Sequence, residues 1–195
     1  MRPCTSRYIF RLIRVTFMTS DHTDDLRFRL KAALNGFASA FKRLQPVTGP
    51  SATAERIFIA WSEVLWWAVS VDDGFEDLAR NDQSYRPNLG DYRAARNSDS
   101  EGQILRALRY ARDRCGHQRA LVTSSWGPAL LACLDEDDEL PVSWRKSADL
   151  PPPDPRFDSE TLRAEYDRLL AGWPADEALW MVKIWFEREQ ARARL

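Results

Sequence analysis

Between Leu26 and Leu44 the chain places Leu26, Leu30, Leu34, Phe37, Phe41 and Leu44 at steps of three and four residues, and Pro46 ends the run. These steps match the 3.6-residue turn of an α-helix and predict a helix over 24–45 with one apolar face. Such a face has to be covered, so the rest of the chain must supply further helices or a partner. Thr23 followed by Asp24 and Asp25 reads as the start of this helix, with acids against the positive end of its dipole.

Four more stripes follow. Ile57, Trp61, Leu65, Ala68 and Val69 predict a helix over 51–78, with Trp66 and Trp67 widening its apolar surface and Asp72-Asp73-Gly74 expected to kink it. Residues 81–97 are polar and carry Pro87 and Gly90, the composition of a loop. Ser98 with Glu101 reads as a capping box opening a helix over 98–115, with Ile104, Leu108, Ala111 and Cys115 as its inner stripe. Leu162, Tyr166, Leu169 and Leu170 predict a helix over 159–172. Leu179, Trp180, Val182, Ile184, Trp185 and Phe186 predict another over 174–190. The alternation in Pro141-Val142-Ser143-Trp144 suggests a small β insertion near 119–145, and Pro151-Pro152-Pro153-Asp154-Pro155 is a stiff connector. The expectation is a mainly α protein, a bundle of about five helices forming one domain over 21–195.

Residues 1–20 are expected to be a disordered or mis-assigned N-terminal arm. Its basic, acid-free start is compatible either with translation beginning at Met18 or with a transit or membrane-surface role. No apolar run reaches the roughly 18 residues of a membrane span. Three cysteines without metal-ligand spacing (Cys4, Cys115 and Cys133) favour a reducing cytoplasm over a disulfide framework or a zinc site. A net charge of −1 gives no global basic field, so any contact with nucleic acid has to be local. Only Lys31, Lys42, Lys146 and Lys183 among the 28 basic residues are lysine. No Gly-rich phosphate loop, Gly-x-Ser-x-Gly elbow or paired-cysteine motif is present, which excludes the common nucleotide, hydrolase and redox classes.

One stretch carries chemistry. Arg112-Asp113-Arg114-Cys115-Gly116-His117 gathers a fixed cation, a carboxylate and an imidazole within six residues at the end of a helical segment. Imidazole moves protons near neutral pH, and guanidinium holds a phosphate bidentately. Arg112 and His117 would lie about 140° apart around an ideal helix. Gly116, read as the residue that ends the helix, would relax that separation.

The Arg-polar-x3-His spacing resembles the signature of HEPN domains, helical bundles of which many are metal-independent ribonucleases. The resemblance implies a homodimer whose two motifs meet across a cleft, and RNA as substrate. In it His117 acts as general acid or base and Arg112 binds the scissile phosphate. Asp113 orients one of them, no metal or cofactor takes part, and an antitoxin-like protein such as a nucleotidyltransferase is a partner. Asp113 departs from the commoner Asn, and its carboxylate adds repulsion beside a phosphate. The alternative is a non-catalytic HEPN-like interaction module whose tryptophan-rich helices bind another protein.

Two acidic groups compete for attention. The tract Asp135 to Glu139 lacks the oxygen-ligand spacing of a calcium loop and reads as solvated. Asp72, Asp73, Glu76 and Asp77 have no second cluster to complete a metal centre. Trp61, Trp180 and Trp185 fall on inner stripes, while Trp66 and Trp67 cannot both share that face.

Overall fold

The computed structural model describes residues 6–44, 54–117, 144–150 and 159–195, with residues 6–21, 54, 55, 57, 115–117 and 175 described by backbone alone. Six α-helices account for most of these: α1 Ser6–Leu44, α2 Ala54–Asn81, α3 Leu89–Ser98, α4 Ile104–His117, α5 Glu160–Leu169 and α6 Ala175–Ala193. The protein is mainly α. The β insertion expected near 119–145 falls largely outside the described residues. Only Trp144 and Arg145 are described there, and Trp144 forms a single parallel bridge with Ala171.

α1 and α2 form an antiparallel hairpin. Gly36 lies against Trp67 and Gly74 against Leu30, while Arg43 pairs with Glu63 and Arg27 with Asp82, so the partner number falls as the residue number rises. Leu30, Leu34, Phe37, Ala40 and Phe41 of α1 are buried on Trp61, Val64, Leu65, Ala68 and Phe75 of α2 as one core. α1 begins at Ser6, not at Thr23. Residues 6–22 contain neither Gly nor Pro to stop it, and Asp25, read as an N-terminal acid, instead pairs with Arg29 one turn on. Nor does Asp72-Asp73-Gly74 interrupt α2. Gly74 leaves room for α1, since a Cβ there would sit 3.0 Å from Leu30 Cδ1.

α3 occupies most of the segment expected to be a loop. Asn88 caps it by accepting from the Asp91 N–H at 3.1 Å. Its buried residues are Tyr92 and Arg96, one turn apart, so the inward face is polar in composition and shows no apolar stripe. Ser98 ends this helix and does not open the next. The turn into α4 is held by Asp99, whose Oδ1 accepts the N–H groups of Glu101 and Gly102 at 3.0 Å each. α4 therefore starts at Ile104 and continues helical through Gly116 to His117.

Aromatic rings join the helices. Phe37 meets Phe186 of α6 edge-on at 5.2 Å, and Tyr92 lies 6.1 Å from Trp185. A second chain runs from Trp61 through Trp144 and Tyr166 to Tyr110, with centroid separations of 5.4, 6.5 and 5.2 Å. α5 is capped by Ser159. The far end of the bundle is tied by Arg27, which donates to Ala193 O at 2.6 Å and to Asp82. Glu189 does the same for α6. It accepts from the Tyr85 hydroxyl at 2.5 Å and from both the Nε and Nη2 of Arg86.

The hairpin contact gives a direct test. A Cβ added at Gly36 would stand 2.6 Å from Trp67 Cδ2, so Gly36→Ala forces the indole or the helix to shift. Urea melts should show a loss of about 1–3 kcal/mol. Stability equal to wild type would mean that the two helices do not approach this closely.

Candidate functional site

The described part of the motif stands on one edge of the α2/α4 interface, and the polar residues of that edge explain its geometry. Asp72 is fully buried. Its carboxylate accepts from the Tyr92 hydroxyl at 2.6 Å, from Arg96 Nη1 at 2.6 Å and from Arg109 Nε and Nη2 at 2.9 and 2.5 Å. Glu76, one turn on, accepts from Arg93 Nε at 3.0 Å and Arg96 Nη1 at 3.0 Å. Arg109 reaches onward to Asp73 at 2.7 Å. Three carboxylates of α2 thus meet two arginines of α3 and one of α4, and the charges cancel.

The loop reading of 81–97 does not anticipate this arrangement, nor does the reading of the acids as a cluster that falls short of a metal centre. Acids at 72 and 76 are one turn apart on α2, and Tyr92 with Arg96 are one turn apart on α3. That double i,i+4 pattern is the signal in the sequence. Burial alone would raise the Glu76 carboxyl, but the Arg93 hydrogen bonds and the charges of Arg96, Arg93 and Arg109 outweigh it and hold it below its ordinary value. Burial first, and then the neighbouring Asp72 charge, pushes the Tyr92 hydroxyl far up. Among the described residues no group of three or more His, Cys, Asp or Glu side chains could hold a metal ion.

Arg112 lies one turn beyond Arg109 on α4, and the facing residue on α2 is Trp66, two turns before Asp73. The ladder of acids and arginines ends there. The Arg112 guanidinium sits 5.8 Å from the Trp66 ring centroid, and the indole stays 58% exposed. Its charge partner is its own neighbour Asp113, with Nε 2.8 Å from Oδ1 but without hydrogen-bond alignment. Among the described residues no carboxylate of α2 balances Arg112.

The structure separates the backbone positions of the pair. Gly116 does not end the helix, so positions 112 and 117 stay about 140° apart on one continuous α4. The His117 side chain, the tract 135–139 and Cys133 lie outside the described residues. Arg114, between Arg112 and His117, is buried over the Tyr110 ring at 5.8 Å. Trp180, expected on an inner stripe, is 52% exposed, with Lys183 Nζ 4.8 Å from its ring. Trp61 and Trp185 are buried as expected.

An open groove of about 300 Å³ between α3 and α6 is lined by Ser98, Asp99, Arg86, Arg188, Glu189 and Arg192, among others. Its charges are taken up internally, Arg188 by Asp99 and Glu101, and Arg86 by Glu189. Among the described residues no helix is long and apolar enough to cross a membrane. Compared with known proteins, the chain matches no protein-family model, no curated protein and no solved structure.

Two outcomes follow from the ladder. Asp72→Ala leaves the buried Tyr92 hydroxyl without its acceptor, Arg96 with Glu76 alone and Arg109 with Asp73 alone, and chemical denaturation should show a loss of about 3–5 kcal/mol. A loss under about 1 kcal/mol would contradict the burial of these charges. Because the folded Glu76 carboxyl is held low, its stabilisation is complete above its ordinary value of 4.5 and is lost as pH falls through the lower folded value. Glu76→Gln should flatten the acid limb of the stability–pH curve. An unchanged limb would assign the acid sensitivity elsewhere.

Proposed function

We propose that this chain is a HEPN-like helical bundle acting as a metal-independent endoribonuclease of toxin or defence type, through Arg112, Asp113 and His117. One observation carries the reading. Arg112 is the rung of the α2/α4 edge at which the balancing acid of α2 is replaced by an exposed tryptophan. A guanidinium steadied by an aromatic ring and a neighbouring carboxylate is placed for an incoming phosphate, and an open indole suits a base beside it.

The roles follow from the chemistry. Arg112 binds the scissile phosphate and the charge that develops on it. His117 takes the proton of the ribose 2′-OH, or supplies one to the departing 5′-oxygen. The 2′-oxygen attacks phosphorus as the P–O5′ bond breaks, leaving a 2′,3′-cyclic phosphate. A continuous α4 sets positions 112 and 117 about 140° apart, so the working pair joins Arg112 of one copy to His117 of a second. The protein is then a homodimer of the cytoplasm, and an antitoxin-like protein such as a nucleotidyltransferase is its natural restraint.

A second reading has its own support. Phe28, Ile59 and Trp180 are exposed, and most of the described arginines are spent on carboxylates, which suits a non-catalytic module that binds a protein partner.

Incubation of the purified protein with total RNA in EDTA decides between them. Cleavage should persist and leave 2′,3′-cyclic or 3′-phosphate ends. His117→Ala and Arg112→Ala should each lose about 10²–10⁴-fold. Equal patterns from wild type and His117→Ala, or no cleavage by either, would transfer the assignment to the interaction module.

A further inference from the structure

Buried arginines follow a consistent rule in this fold, and one of them breaks it. Arg96 has a side chain 7% exposed, lies over the Tyr92 ring at 5.7 Å and bonds both Asp72 and Glu76. Arg86 is 10% exposed, lies over Tyr85 and Tyr92 and is held by two bonds to Glu189. Each has an aromatic ring on its face and a carboxylate at its edge. Arg114 is equally buried, at 7%, and has the ring, with Tyr110 5.8 Å away. Its Nε and Nη1 are shielded from solvent and have no hydrogen-bond partner, and no acid among the described residues pairs with it.

A ring face offsets only part of the cost of taking a guanidinium out of water. An unpaired buried group of this kind calls for an explanation, and an anion is the complement that a guanidinium edge fits best. Position adds a second argument. With α4 unbroken, residue 117 follows residue 114 by three positions, about 60° around the axis, whereas it is about 140° from residue 112. Arg114, not Arg112, therefore shares a side of the helix with position 117.

We propose that Arg114 is an oxyanion-binding residue, and that a phosphate group supplies the missing acid at its Nε and Nη1, on the side of α4 that carries position 117. The shared chemistry is a tetrahedral phosphate, either an RNA backbone phosphate or free inorganic phosphate. The first source rests on the ribonuclease reading and gives it a second cation beside the acid–base position. The second does not depend on that reading. Since both nitrogens are shielded, entry needs a local opening, and association is slower than at an open site.

Thermal melting of the full chain in a phosphate-free buffer tests this, with inorganic phosphate in one arm and an uncleavable 2′-O-methyl oligoribonucleotide in the other. At a hundredfold excess over Kd the midpoint should rise by about 5–10 °C in at least one arm. Arg114→Gln should abolish the rise with inorganic phosphate and reduce the rise with the oligoribonucleotide, which Arg112 also contacts. A response to phosphate alone keeps the site and detaches it from RNA. A response to the oligonucleotide that shrinks in Arg114→Gln ties the site to the substrate backbone. Arg114→Met removes the uncompensated charge and should melt above wild type in the absence of anion. No response in either arm, an Arg114→Gln protein that responds like wild type, or an Arg114→Met protein less stable than wild type would each overturn the proposal.

Discussion

Asp72 is the constraint on which the rest of the structure depends. It is a fully buried carboxylate in the middle of α2, and it accepts hydrogen bonds from one residue of α3, Tyr92, from a second, Arg96, and from Arg109 of α4. Leaving such a charge unpaired costs several kcal/mol, so the three helices have few alternative registers that satisfy it. Apolar stripes bring α1, α2 and α6 together but tolerate small slides. The ionic cluster does not, because each donor has to meet one oxygen.

That fixed register decides what the end of α4 presents. Arg109 locks α4 to Asp72 and Asp73, and one turn later Arg112 has passed the last acid of the ladder and meets Trp66. Two residues further on, Arg114 faces the opposite side over Tyr110. The same helix therefore carries two cations of different standing, one half-open on an indole and one buried with no acid beside it among the described residues. Both differ from the arginines of the ladder, which hydrogen-bond carboxylates of α2.

Much of the architecture was legible in the sequence because aliphatic and aromatic residues recur at helical steps. Leu30, Leu34, Phe37 and Phe41 mark α1, Leu65 and Ala68 mark α2, Ile104, Leu108 and Ala111 mark α4, and Leu179, Val182 and Phe186 mark α6. All of them are buried. α3 was hidden because it buries Tyr92 and Arg96, and a polar inward face leaves no apolar period to read. The acids at 72 and 76 showed only the lack of a second cluster that would make a metal centre, since their partners come from that unseen helix. Trp180 was placed inside by period alone, yet it stands at the rim, where its ring covers Phe41 at 6.2 Å and still faces solvent. At the candidate site Arg112 was visible through its spacing to His117. Arg114 was not, because its distinction is the absence, among the described residues, of an acid nearby in space, and no linear pattern records that.

The central claim is that Asp72 and Arg109 together set the position of α4. A double-mutant cycle with Asp72→Asn and Arg109→Gln, read by urea denaturation, measures it directly. The account predicts that the two changes couple by at least about 1 kcal/mol, with the double variant losing less than the sum of the singles. Losses that add within about 0.5 kcal/mol would contradict it, because the helix carrying Arg112 and Arg114 would then be held by something other than this pair.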